Sequence, residues 1–147
     1  MHRLAALRAS IDLSGPVLEH LVAARLMHRL DDIADWRRRE LRPQRDALLA
    51  ALARELPQWR VAVPTGGLSL WAELDAPMST SLSLLSTQAG VILVPGSRFG
   101  VDGTLERFLR VPFALPENRL EDAVRRIAEV WTQLSQAGPS PRPLIVA

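Results

Sequence analysis

The sequence predicts an α+β domain, a small mixed or antiparallel sheet covered by helices and preceded by a helical arm. Three successive patterns carry that prediction. Apolar residues recur at helical spacing from Val17 to about Leu56, alternate with period two from Leu68 to Leu74, and return to helical spacing from Leu120 to Leu134. The expected organisation is a helical arm over 1–56, an α/β body over 57–137 and a flexible tail over 138–147. A chain of 147 residues matches one domain with one sizeable core. Its apolar fraction of 48% and charged fraction of 23% exclude a disordered class. It lacks the roughly 18 consecutive apolar residues of a membrane span.

Within the arm, Leu4 and Leu7 suit the end of a helix whose start lies outside this chain. Ser14-Gly15-Pro16 then signals a helix start, followed by Val17, Leu18, Leu21, Val22, Leu26 and Leu30 at helical intervals. Asp31 and Asp32 open a long helix to about Leu56, with Ile33, Trp36, Leu41, Leu48 and Leu52 among Arg and Glu. Pro43 falls inside it, removing a backbone donor and crowding the preceding turn, so the expectation is either a kink or two abutting helices.

After Pro57 the pattern changes. Arg60 to Pro64 reads as a short strand, Thr65-Gly66-Gly67 as a turn, and Leu68 to Leu74 as a strand with Leu68, Leu70, Ala72 and Leu74 on one face. Ser79 to Ala89 reads as a helix with Leu82, Leu85 and Ala89 on one side, stopped by Gly90. Val91 to Val94 follows as a buried strand, Pro95 to Gly103 as a loop, and Phe108 to Phe113 as a strand in which Pro112 marks an edge or an end. Asn118 with Glu121 forms a capping-box signature for a last helix carrying Leu120, Val124, Ile127, Trp131 and Leu134.

Composition narrows the chemistry. All 18 basic side chains are Arg, with no Lys, Tyr or Cys to titrate between His and Arg, so a net charge of +2 is enough to lift the isoelectric point to about 10.8. That value reports missing buffering groups rather than a basic stripe, and the one dense basic run, Arg37-Arg38-Arg39, has Asp31, Asp32, Asp35 and Glu40 close by. Without Lys no side chain can form a Schiff base, and without Cys there is no thiolate or disulfide. His2, His20 and His28 lack the i, i+4 spacing of a zinc-binding helix, and no metal site is expected. The N-terminus is too charged and too short in its apolar run for a secretory signal, although its Arg residues would suit a transit peptide, and a cytoplasmic location is expected.

Three runs taken together resemble a known family: Pro64 to Leu74 (PTGGLSLWAEL), Gly90 to Phe99 (GVILVPGSRF) and Leu109 to Ala114 (LRVPFA) ahead of a terminal helix. They resemble the small domain of fold-type I, pyridoxal-phosphate-dependent aminotransferases, with the closest likeness to the aminotransferase-like region of MocR-type regulators in the GntR superfamily. Ser14 to Leu26 (SGPVLEHLVAARL) and Arg37 to Leu49 (RRRELRPQRDALL) look like the helices that close the large domain and cross into the small one. The resemblance covers nearly the whole chain. Each motif alone is common in loops, and it is the order and spacing of the set that make the likeness specific.

The resemblance implies that a Lys and the residues around the cofactor ring lie in a large domain upstream, so the chain is expected to be the C-terminal part of a longer parent or a remnant gene product. Pyridoxal phosphate is then expected in that parent and not covalently on this chain, which by itself should not transaminate. Arg110 matches the strand Arg that binds the α-carboxylate of an amino-acid substrate, and a guanidinium fork suits a carboxylate physically. From the residues alone Arg110 reads as an ordinary edge-strand Arg, exposed or paired with Glu73 or Glu106; the motif reverses that preference. Arg98 and Phe99 lie in a loop whose side chains the resemblance places near the substrate, but they read first as loop packing and solvation; Gly66 and Gly67 read as turn residues with positive φ, with a substrate-facing backbone as the alternative. Trp36, Trp59, Trp71 and Trp131 read as core or interface residues rather than a base-stacking platform. The Arg37-Arg38-Arg39 run reads as a solvated helix face, and His20 as a helix-surface His with a cofactor-facing alternative.

The function expected from this resemblance is the effector-sensing half of a MocR-type transcription regulator, with DNA bound through a separate N-terminal domain. The rival is a fragment of a genuine amino acid aminotransferase, and a third reading, a stand-alone interaction module, requires the first thirty residues to pack as an autonomous cap. The expected partners are an amino-acid-like carboxylate, the missing large domain and a second copy in a parent homodimer.

Overall fold

The computed structural model describes residues 15–101 and 103–137. The expected helix end at Leu4 and Leu7 and the expected tail after residue 137 lie outside the described residues. The chain divides into two compact units, Met1–Arg38 and Arg39–Ala147, each taken by itself below.

In the first unit, α1 spans Val17–Met27, directly after Pro16, whose carbonyl accepts from the His20 amide at 3.0 Å. None of its residues is buried. A turn at His28 and Arg29 separates it from α2, Leu30–Glu55, which opens with Asp31 and Asp32 as the acidic start predicts. Helix α2 runs unbroken through Pro43, so the division into two helices is not found. Pro43 withholds one helical donor, and the ladder continues on either side.

The second unit holds the sheet. Strands β1 (Arg60–Val61), β2 (Ser69–Glu73), β3 (Val94–Pro95) and β4 (Phe108–Pro112) lie in the order β1-β2-β4-β3, and every neighbouring pair is antiparallel. Between β2 and β3 comes α3, Ser79–Gln88, and a single 3-10 turn, Gly96–Phe99, follows β3. The last element is α4, Glu117–Ala137. This is the α+β arrangement predicted, with a wholly antiparallel sheet. No helix among the described residues is long and apolar enough to cross a membrane.

Alternation decides which sheet face is buried. Leu70 and Ala72 of β2 and Leu109 and Val111 of β4 point inward, together with Leu74 and Phe113 at the strand ends. Over them lie Leu48, Ala51 and Leu52 from the end of α2 with Leu56 just beyond it, Leu82 from α3, and Leu120, Val124, Ile127, Val130 and Trp131 from α4. Each fully buried Leu or Ile stabilises the fold by about 1.5–3 kcal/mol. Trp59 meets Trp131 edge to face, centroids 5.3 Å apart.

Several local expectations need correction. Leu68 lies outside β2 and is 52% exposed, because the strand begins at Ser69. The strand expected over Val91 to Val94 is two residues long and starts at Val94, and Ile92 is 83% exposed; Val91 is instead drawn back to α3, its amide donating to the Ser86 carbonyl at 2.9 Å. Asn118 does not cap α4, which already begins at Glu117: the amides of Arg119 and Leu120 donate to the Pro116 carbonyl, so the backbone of the Pro116 turn satisfies what the capping box was expected to satisfy. Strand β4 ends at Pro112 but lies inside the sheet, so the ending and not the edge explains that proline.

Candidate functional site

The outward side of the sheet is built from the alternate residues of the same two strands. On β2 these are Ser69, Trp71 and Glu73, and on β4 they are Phe108, Arg110 and Pro112. The register sets Trp71 opposite Arg110, with Val94 of β3 on the other side. Arg110 is thus an exposed residue of an interior strand, not of an edge.

Its guanidinium is oriented from two sides. Nε donates to the Ser69 hydroxyl at 3.1 Å, and Cζ lies 6.0 Å from the centroid of the Phe99 ring, at the outer limit of a cation–π contact. Behind it the rings form a row. Trp71 meets Phe99 edge to face at 5.5 Å and stacks on Phe108 at 5.6 Å. Trp71 remains 39% exposed and Phe99 51%, so this row forms an accessible aromatic wall beside the cation.

Neither carboxylate expected as a partner neutralises Arg110. Glu73 lies 4.0 Å from Arg60, and Glu106 accepts from Ser79 and Thr80 at the start of α3. Among the described residues, no ion pair engages Arg110, and Nη1 and Nη2 keep their donors. Such a fork can grip a planar anion through two parallel charge-assisted hydrogen bonds.

Phe99, expected to pack within its loop, does so against Trp71 of β2. It reaches the Arg110 face because the 3-10 turn folds back on the strand. Gly96 makes that approach possible, since a Cβ there would stand 2.2 Å from the Leu105 carbonyl oxygen and 2.6 Å from that of Phe108. Arg98, the residue before Phe99 in the turn, lines a separate groove with Thr80, Ser83, Leu84, Ile92 and Ser97. In the Gly66-Gly67 turn only Gly67 takes a positive φ, +93°. His20 lies on α1, where no residue is buried, and Arg38 pairs with Asp35 at 2.6 Å on the helix surface. Trp36 is 54% exposed, outside the core. Among the described residues no group of three or more His, Asp or Glu is placed to hold a metal.

Comparison with known proteins gives a consistent picture. Residues 6–127 match the family model described as aminotransferase class I and II. An aromatic-amino-acid aminotransferase of Thermococcus litoralis is 34% identical over 93 residues, 60% of this chain and 22% of the relative. An LL-diaminopimelate aminotransferase of Nitratidesulfovibrio vulgaris is 34% identical over 103 residues, 68% of this chain and 25% of the relative. Among solved structures, the α-aminoadipate aminotransferase of Thermus thermophilus, complexed with N-(5'-phosphopyridoxyl)-L-leucine, superposes with a TM-score of 0.79 at 29% identity, covering 92% of this chain and 36% of that one. The chain therefore spans about a quarter of the curated relatives it matches.

Proposed function

Since this chain belongs to the class I and II aminotransferases, we propose that it supplies the substrate-carboxylate side of an amino acid aminotransferase, with Arg110 as the anchor. The observation that carries the reading is the state of Arg110: exposed, oriented through Nε by Ser69, and without a carboxylate partner among the described residues. An α-carboxylate supplies the missing anion, and the aromatic row of Phe99, Trp71 and Phe108 shields one flank of that contact from water.

The chain's donor set does not fit covalent attachment of pyridoxal phosphate, because it contains no Lys. Residues of the large domain carry the cofactor in this reading, and the present residues bind and orient the substrate. We therefore expect no side chain of the 147-residue chain to carry a phosphopyridoxyl group, read by peptide mass, after mixing with pyridoxal phosphate, borohydride reduction and removal of unbound cofactor; a labelled side chain would overturn the division of labour.

The relatives named above are aminotransferases, which favours the enzyme over the effector-sensing half of a MocR-type regulator. The test is amino-acid titration of the full-length protein and its Arg110→Ala variant, followed through the cofactor's absorbance. Truncating one partner of a desolvated charge pair costs about 2–5 kcal/mol. Affinity should fall at least about tenfold, and unchanged affinity would return Arg110 to an ordinary strand residue.

A further inference from the structure

Glu106 precedes β4 and does not face Arg110, yet it ties together three segments that are distant in sequence. Its Oε2 accepts from the Ser79 hydroxyl at 3.0 Å and from the Thr80 amide at 3.0 Å, and its Oε1 accepts from the Thr80 hydroxyl. The Thr80 hydroxyl in turn lies 2.8 Å from the Ser97 hydroxyl, within the 3-10 turn that carries Phe99. The Glu106 carbonyl also accepts from the Ser79 amide at 3.0 Å. Helix α3 has no side-chain cap of its own at Met78, so Glu106 serves as its N-terminal acceptor from 26 residues away.

The backbone beside it is held in an unusual state. Leu105 has φ +69°, the left-handed region that a branched side chain rarely adopts, and its carbonyl accepts from the Phe108 amide at 2.9 Å while closely approaching Gly96. A strained residue persists only where its surroundings over-determine it, and the Glu106 network is that surrounding.

We propose that Glu106 is a positioning residue for the Arg110 face: its carboxylate clamps the 3-10 turn to the start of α3 and so fixes Phe99 against Trp71 and Arg110. The functional meaning of this clamp rests on the reading of Arg110 given above; the clamp itself does not. Burial works against the Glu106 charge, but the hydrogen bonds from Thr80, Ser79 and Ser97 outweigh it and hold the carboxyl below its ordinary range. Helix α3 presents no charged side chain to it. Arg98 is the cation of the 3-10 turn, and the adjacent Arg107 donates to the Asp75 carbonyl at 2.8 Å. A carboxyl depressed in this way keeps the clamp above its folded-state titration and releases it as the pH falls through that point.

The test is ring-contact NMR on this chain, reading Phe99-to-Trp71 cross-peaks against those of Trp59 to Trp131 in the core. In the wild type the Phe99 contact should hold through mildly acidic pH and weaken at least about threefold below the usual carboxylate range. Glu106→Gln, neutral and of the same size, should show the weakened contact at neutral pH and no acid transition, with the Trp59–Trp131 contact intact. A merely structural cap would lower the unfolding temperature without moving the Phe99 contact. Should Glu106→Gln fail to fold, Thr80→Val removes one arm alone and should still weaken the contact. Wild-type cross-peaks in either variant at neutral pH, or an acid transition surviving in Glu106→Gln, overturn the proposal. Because the readout involves no ligand, its failure leaves the Arg110 reading standing, and unchanged affinity in Arg110→Ala leaves the clamp standing.

Discussion

The two faces of the sheet come from the same ten residues of β2 and β4, yet they do different work. Leu70, Ala72, Leu109 and Val111 are sealed beneath three helices, while Ser69, Trp71, Phe108 and Arg110, one residue out of step, form the outward aromatic and cationic side. Period-two alternation separates the residues that stabilise the fold from those available to a ligand, and a slip of one residue would exchange them. What differs is replaceability. The inner face is constrained by packing against neighbours, the outer face by the chemistry of what it meets.

The largest effect should come from breaking the inner face. Leu109 is fully buried, and Leu109→Ala should lower unfolding stability by about 2–5 kcal/mol, through lost burial and the cavity left behind. Denaturant unfolding followed by Trp fluorescence measures it, and a loss below about 1 kcal/mol would show that the inner face tolerates collapse. Gly96→Ala comes next. Its Cβ would strike two backbone carbonyls that cannot swing away, so a loss of about 1–3 kcal/mol is expected, with Phe99 displaced from Trp71.

Helix α1 offers a third contrast with the packed interior, for it exposes Val17, Leu18, Leu21 and Val22 together. Large bare apolar patches promote association, so the chain should self-associate, and the pair Leu18→Glu and Leu21→Glu should weaken that association at least about tenfold. Sedimentation over a wide concentration range checks it, and a wild-type monomer throughout would refute it. The smallest effect on stability belongs to the outer face. Arg110→Ala removes one exposed hydrogen bond to Ser69 and should change stability by no more than about 0.5 kcal/mol, even though ligand affinity in the full-length protein is expected to fall. A larger loss of stability would assign Arg110 a structural role.

The amino-acid sequence alone determined the kinds of most elements and, for α4 and β2, the face turned inward. Leu120, Val124, Ile127 and Trp131 announce α4 because helical periodicity reports, within one segment, which side avoids water, and Leu70 and Ala72 do the same for β2. Arg110 is singled out by the family resemblance alone, since local alternation reads it as an ordinary edge-strand Arg. Tertiary structure decided the rest: that β4 lies inside the sheet, that Ile92 faces solvent, that Phe99 reaches Trp71, and that Glu106 caps a helix 26 residues earlier in the chain. Periodicity encodes only each residue's share of solvent or core. Which distant side chains meet depends on strand order, register and the return path of a loop, and these are settled when many segments pack at once.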